Sequence, residues 1–216
     1  GPQCQAEDGD WYARHMYYPD TQQWKWNTSH FGSPEVFGLK DLIHAWKAER
    51  WNPDSLVKLY KDAGARYFMA LGNHHDNFDL WNSPYQEWNS VNLGPQKDLI
   101  GGWSEACKRY GLPLGVSIHA SHAWIWLEPS QPYDGNLTKA DGYVKNPDGT
   151  DKWWKGYDPQ DLYAQNHPHS TGWENRGTIH SQWGWGNGAA QPSREYMMKL
   201  QNRVLQLIAD YDPKMI

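Results

Sequence analysis

Apolar and polar positions alternate along the chain in blocks. Residues 67–71 form an apolar run, and a short buried strand is predicted over 66–71. It stops at Gly72, just before His74, His75 and Asp76. Upstream, Asn52 and Pro53 read as an N-cap followed by proline at the first helical position. Leu56, Val57, Leu59 and Tyr60 then share one face of a helix that Gly64 ends. A shorter helical pattern covers 41–51, with Leu42, Ile43 and Trp46. Downstream, a helix over 98–110 places Leu99, Ile100, Trp103, Ala106 and Cys107 on a shared face before Gly111. A strand over 112–118 follows and ends in His119, Ser121 and His122. The strongest helical period lies in 193–209, where Tyr196, Met197, Leu200, Val204, Leu207 and Ile208 recur at three- and four-residue steps. Asp212-Pro213 breaks it, and Lys214-Met215-Ile216 starts another strand.

Two regions carry no clear period. Residues 1–38 are rich in turn formers. Residues 123–192 combine Gly, Pro, Asn and Asp with many Trp. A loop this long inside a compact domain is usually functional or disordered, and its Trp density argues against disorder.

The order helix, strand, helix, strand, helix, strand start predicts an α/β protein, either a (β/α)8-like barrel or an open parallel sheet. The barrel is favoured because polar residues stand at several strand ends and no glycine-rich phosphate loop occurs. A whole barrel needs about 250 residues. Residues 1–216 are therefore read as the N-terminal portion of such a barrel, with the long Trp-rich loop at about 123–192 inserted and the first and later strands lying outside this chain. Gly1-Pro2-Gln3 has neither the charged start nor the apolar core of a signal peptide. The chain is expected to be a piece of a longer protein.

Composition narrows the partners. The net charge of −5, without a basic run, disfavours nucleic acid. No stretch approaches the 18 or so apolar residues of a membrane span. The chain has 15 Trp and 13 Tyr but only 4 Phe, so aromatics with a polar edge dominate. Such rings can cover the apolar face of a sugar while an N–H or O–H bonds a hydroxyl. Core filling is the alternative, but many of these Trp sit in polar, Gly-rich stretches. Cys4 and Cys107 are too few for a disulfide framework, and their pairing stays open. Asn27-Thr28-Ser29 and Asn136-Leu137-Thr138 match the glycosylation sequon.

His74, His75 and Asp76 lie where α/β proteins place their chemistry, at the C-terminal end of a strand. Adjacent side chains alternate across an extended segment. Either one histidine points into a site while the other supports it, or the backbone bends so that both reach in. A structural role and a metal site are the other readings. Zinc sites favour separated ligands such as His-x-x-x-His or Cys-x-x-Cys, which do not occur here, so sugar binding is preferred.

Four stretches carry a resemblance. They are Asp10-Trp11-Tyr12-Ala13-Arg14-His15-Met16-Tyr17; Trp51-Asn52-Pro53 with Leu59-Tyr60-Lys61-Asp62-Ala63-Gly64-Ala65-Arg66-Tyr67; His74-His75-Asp76-Asn77-Phe78-Asp79-Leu80-Trp81-Asn82-Ser83; and Trp88-Asn89-Ser90-Val91-Asn92-Leu93-Gly94-Pro95 with Lys97-Asp98. In this order they resemble the catalytic domain of α-L-fucosidases of glycoside hydrolase family 29, most specifically over 51–98. The resemblance implies a (β/α)8-like barrel and a retaining exo-glycosidase acting on fucosylated glycans or polysaccharides, secreted or periplasmic, without cofactor or metal. It implies fucose contacts for His74, His75 and Trp11, for Asp10 where the family often has Glu, and for His119 at the next strand end. Asn77 replaces the Gly of the family's His-His-Asp-Gly-Phe pattern. A retaining glycosidase needs two carboxyl groups about 5–5.5 Å apart. By the resemblance the nucleophile Asp is expected just after Ile216 and the acid/base later still, so no catalytic residue is assigned within this chain. Asp79, Asp98 and Glu128 are read as helix caps or surface charges. A carbohydrate-binding protein with a degenerate barrel and a related exo-glycosidase of different sugar specificity are the alternatives.

Overall fold

The computed structural model describes residues 11–135, 150, 152–170, 173 and 191–216. Its centre is a pair of parallel strands, β1 (Phe68–Asn73) and β2 (Leu114–Ile118), with Ala70 opposite Val116. Lys214 donates its N–H to the Leu114 carbonyl at 2.7 Å, and Val116 donates to the Met215 carbonyl at 3.0 Å. The predicted strand start thus runs parallel to β2 on the side away from β1. Among the described residues the paired segments are parallel and alternate with helices, so the coarse α/β expectation holds.

The helices between the strands end where their capping chemistry requires. In α4 (Pro53–Asp62) the Asn52 side chain accepts from Ser55 N at 3.0 Å. In α5 (Leu99–Tyr110) Asp98 accepts from Gly101 N at 2.8 Å, and Gly111 closes the helix at a φ of 65°, left-handed backbone that glycine adopts without strain. The last helix, Arg194–Tyr211, starts on Ser193, whose hydroxyl accepts from Tyr196 N. Side chains from all three helices, among them Val57, Ile100 and Leu207, pack on Ala70, Leu114 and Val116. On the opposite face of the sheet Met69 is 44% exposed.

A second core joins the N-terminal helices α1 (Tyr12–His15) and α3 (Leu39–Ala45) to Phe78, Trp88, Trp126 and Trp154. It is stitched by a buried polar group. Tyr17 and Tyr163 donate their hydroxyls to Asp134 at 2.7 and 2.6 Å, and Lys40 Nζ stands 2.8 Å from the same carboxylate. Burial disfavours the Lys40 charge, but Asp134 and Asp41 outweigh it and hold the amine above its ordinary value.

Two local expectations change. Residues 22–31, where the pattern shows no element, form helix α2 (Gln22–Phe31). Its buried side chains are Gln23 and Asn27, so it has no apolar stripe to read. Asn27 accepts from the Tyr12 hydroxyl at 3.2 Å and donates to the Phe37 carbonyl at 3.1 Å, polar contacts that replace hydrophobic packing. The helical pattern at 41–51 is realised earlier, as Leu39–Ala45, with Trp46 extended. Within 123–192 the described residues include the short helices α6 (Ala123–Trp126) and α7 (Pro159–Tyr163). No helix among the described residues is long and apolar enough to cross a membrane.

Candidate active site

The site begins with Asn73, the last residue of β1. The strand register slips between Leu71 and Asn73. The Asn73 side chain turns inward, fully buried, and its oxygen accepts from His119 N at 2.9 Å and Ala120 N at 3.0 Å. One amide thereby ties the C-terminal ends of both strands together. The chain then turns at 75–76, and Asp76 accepts from Phe78 N at 3.2 Å across that turn. Because the backbone leaves extended geometry there, the alternation of side chains is broken. His74 and His75 both join one cluster, with ring centroids 4.4 Å apart.

β2 delivers His119 to the same place, 5.2 Å from His74 and 5.3 Å from His75. His122, in the 3-10 turn that follows, presents its ring edge-on to His75 at 5.1 Å. Trp126 walls the cluster, 4.7 Å from His75, and Trp11 meets Trp126 at 4.7 Å. Among the sequence-derived candidates, His74, His75 and His119 are thus in mutual contact, and Trp11 reaches them through Trp126. Asp10 lies outside the described residues.

His75 stands 3.2 Å from the His119 carbonyl through Nδ1, which must donate to an oxygen that only accepts. Its Nε2 therefore carries the lone pair. Burial, followed by the neighbouring His74 and His122 rings, pushes the His75 pKa down to about 3, so the ring is neutral near pH 7. His119 Nδ1 and Trp126 Nε1 are buried without a hydrogen-bond partner among the described residues. Buried polar atoms are normally satisfied, so two such atoms beside one cluster fit a place where a polar ligand completes the bonding.

The supporting layer is equally specific. Arg14, buried beneath the cluster, donates to the Trp126 carbonyl at 2.5 Å and the Ile125 carbonyl at 3.2 Å. Asp79 accepts from Asn73 at 2.9 Å and is paired with Arg203, whose Nε donates to it at 2.9 Å. Burial works against the Arg203 charge, but Asp79 beside it raises the guanidinium above its ordinary value. The three carboxylates weighed from the sequence part company here. Asp98 caps α5, as read. Asp79 and Glu128 are fully buried rather than surface charges or caps, because each has internal donors: Arg203 for Asp79, and the Ser170 N–H and hydroxyl, both at 2.6 Å, for Glu128. Burial pushes the Glu128 pKa up.

Sequence reasoning missed the structural parts of Arg14, Asn73 and Arg203. Arg203 did leave a signal: with Tyr196, Leu200 and Leu207 it forms the buried stripe of its helix, a charged residue on an apolar face.

The arrangement defines an α/β protein that gathers imidazole and indole groups at the C-terminal ends of parallel strands, where such folds bind small polar ligands. The family model for alpha-L-fucosidase matches residues 1–216, and the chain belongs to that family. Tissue alpha-L-fucosidase of Bos taurus is 38% identical over 93 residues, 43% of this chain and 20% of that protein. The Homo sapiens tissue alpha-L-fucosidase is 34% identical over 93 residues, with the same coverage. The chain thus covers about a fifth of the length of these curated relatives. The fold matches that of the Thermotoga maritima alpha-fucosidase solved with a mechanism-based inhibitor, with a TM-score of 0.60 at 22% identity over 96% of this chain and 37% of that one.

Proposed function

We propose that the protein is an exo-acting α-L-fucosidase, hydrolysing terminal α-L-fucosyl linkages of glycans or polysaccharides with retention through a covalent glycosyl-enzyme intermediate. In this reading the described residues are part of a (β/α)8-like barrel and supply the sugar-holding side of its site, and the protein works outside the cytoplasm. The observation that carries the reading is the convergence of His74, His75 and His119 from two adjacent strand ends, walled by Trp126. Neutral imidazoles can donate to or accept from sugar hydroxyls, and an indole can cover an apolar sugar face. Trp11 and Asp10 complete the fucose contacts by family resemblance. Asp79, Asp98 and Glu128 are each committed to internal partners, which argues against any of them as nucleophile or acid/base. Those two carboxyl groups are assigned, with the family, to residues after Ile216.

The test is release of fucose by the full-length protein from an aryl α-L-fucoside and from fucosylated glycans, with the anomeric configuration of the first product followed by NMR. The α-anomer should appear first. Failure to release fucose from every substrate would sink the proposal, and first formation of the β-anomer would overturn retention.

A further inference from the structure

Ligand spacing along the chain disfavours a metal, but the fold brings separated histidines together. His119 is far from His74 and His75 in sequence, yet β2 brings it to their turn. One nitrogen from each of the three lies within 4.8 Å of the other two. We propose that His74, His75 and His119 form a binding site for a borderline-soft divalent cation, zinc or copper, and that its occupation excludes the sugar from the cluster.

The donor set selects the ion. Three imidazole nitrogens, with no thiolate, suit zinc, copper or nickel and not magnesium or calcium, which require oxygen ligands. In tetrahedral geometry with zinc–nitrogen bonds of about 2.0–2.1 Å, ligand nitrogens sit about 3.4 Å apart. Small ring rotations close the remaining distance. His75 is already oriented for the task, because its Nδ1–H donates to the His119 carbonyl and leaves Nε2 with the lone pair. A histidine ligand fixed through its other nitrogen by a carbonyl is the usual outer-shell arrangement at zinc sites. His119 contributes a buried Nδ1 without a hydrogen-bond partner among the described residues. Trp126, packed on His75, limits the ways the rings can turn away. The fourth position is left to water or an anion, so the site is open rather than structural.

The binding half of the proposal stands on these three rings alone. The exclusion half rests on the fucosidase reading, since it requires the same nitrogens to face sugar hydroxyls.

The experiment uses the full-length protein stripped with a chelator. Zinc is titrated by calorimetry, and copper(II) is added at one equivalent for electron paramagnetic resonance. The expected result is one zinc per chain at this site and a copper spectrum split by more than one imidazole nitrogen. His119→Ala and His75→Ala should each weaken zinc by about tenfold or more, while His30→Ala, at an exposed histidine of α2, leaves it unchanged. Should His119→Ala not fold, the wild-type copper spectrum decides, and His119→Asn tests the same ligand with less lost volume. Zinc binding indifferent to both site variants, or copper coordinated by a single nitrogen, overturns the site. For exclusion, zinc should raise the apparent KM for an aryl fucoside with little change in kcat. Zinc that binds through these histidines without competing overturns exclusion. Zinc bound by a protein that, once stripped of metal, releases no fucose overturns the fucosidase reading and leaves the metal site standing.

Discussion

Arg203 donates from Nη1 to the side-chain oxygen of Asn77 at 2.8 Å, gripping the residue at which the His74–His75 turn reverses direction. Asn77 holds a φ of 60°, and its amide nitrogen donates to the Asp161 and Leu162 carbonyls at 3.1 and 2.9 Å. The left-handed backbone is one that Gly enters freely and Asn tolerates. Where the family pattern often has Gly, this chain has a residue that joins the turn to both α7 and the last helix.

Asn77→Gly therefore separates backbone from bonding. It relaxes the turn but removes three buried side-chain hydrogen bonds and leaves one Arg203 donor without that partner. The net effect should be a loss of about 1–3 kcal/mol. Asn77→Ala should lose more, because its Cβ adds about 1–2 kcal/mol of left-handed strain. Urea unfolding of the full-length protein gives both values. A glycine variant as stable as wild type would show that the three bonds contribute nothing net.

The Asp79–Arg203 pair is buried on both sides, with side chains 0% and 1% exposed. Removing one partner strands a charge, so Arg203→Met should destabilise by about 3–5 kcal/mol. Replacing both, Arg203→Met with Asp79→Leu, should recover part of that loss. A double variant no better than the single one would place the stability in the Asn73 and Asn77 bonds instead of the ion pair.

Asn73 orients chemistry without touching a ligand in this reading. In Asn73→Ala the His119 and Ala120 N–H groups lose their shared side-chain acceptor, and the strand ends keep only the backbone bond from the His119 N–H to the residue 73 carbonyl, 3.2 Å long with Asn73 in place. The expected signature in the fucosidase assay is a rise in KM of roughly tenfold, equivalent to about 1.4 kcal/mol, and Asn73→Asp should not rescue it, because its carboxylate would face that of Asp79. A change confined to thermal stability, with KM unmoved, would leave Asn73 a purely structural residue.

Much of this fold was readable because local chemistry and tertiary packing agree. Asn52-Pro53, Asp98 and Ser193 mark helix starts by the bonds they make, and Gly111 marks an end. The strand read at 66–71 lies two residues later, at 68–73, and the one read at 112–118 starts two residues later and ends as read, at Ile118. What escaped was polar burial. Helix α2 packs through Gln23 and Asn27, and the supporting layer of the site uses Arg14, Asn73 and Arg203, residue types that on average face water. Their partners are 4 to 159 positions away, and most are too distant for a local pattern to announce them. The histidine cluster was legible as two separate strand ends, while its closeness depends on strand pairing.

Glu128 gives a pH signature of defined sign. Burial raises its folded pKa above the ordinary carboxylate value. A group with a raised folded pKa contributes most below its unfolded pKa and loses that contribution as pH rises through the folded value. Glu128→Gln keeps an oxygen for the Ser170 donors and cannot ionise. Its stability relative to wild type should improve as pH climbs from about 4 toward neutrality. Paired denaturation curves across that range check it. A relative stability that stays flat, or worsens with rising pH, would mean that the Ser170 bonds and Arg14 hold the carboxylate ionised at no net cost.

The described tryptophans of 123–192 divide by burial, and the division predicts different phenotypes. Trp126 and Trp154 are buried in the second core, and Trp126 also walls the histidine cluster. Truncating either should cost about 3–5 kcal/mol in packing and lower activity on every substrate together. Trp124 is different. Its ring stacks on His167 at 4.2 Å and meets Tyr196 edge-on at 5.4 Å. With Gln160, Asn166, Glu195 and Lys199 it lines a cavity of 410 Å³. Tyr196 donates its hydroxyl to the Ala120 carbonyl, which places this cavity beside the strand end that carries His119. An indole flanked by planar polar side chains suits a sugar residue attached to fucose better than it suits fucose itself. Trp124→Ala should therefore lower kcat/KM on an extended fucosylated glycan by about tenfold, the equivalent of one lost stacking contact of about 1–1.5 kcal/mol, while an aryl fucoside is hydrolysed as before. Equal losses on both substrates would assign Trp124 to folding, and no loss on either would remove this cavity from the path of the glycan.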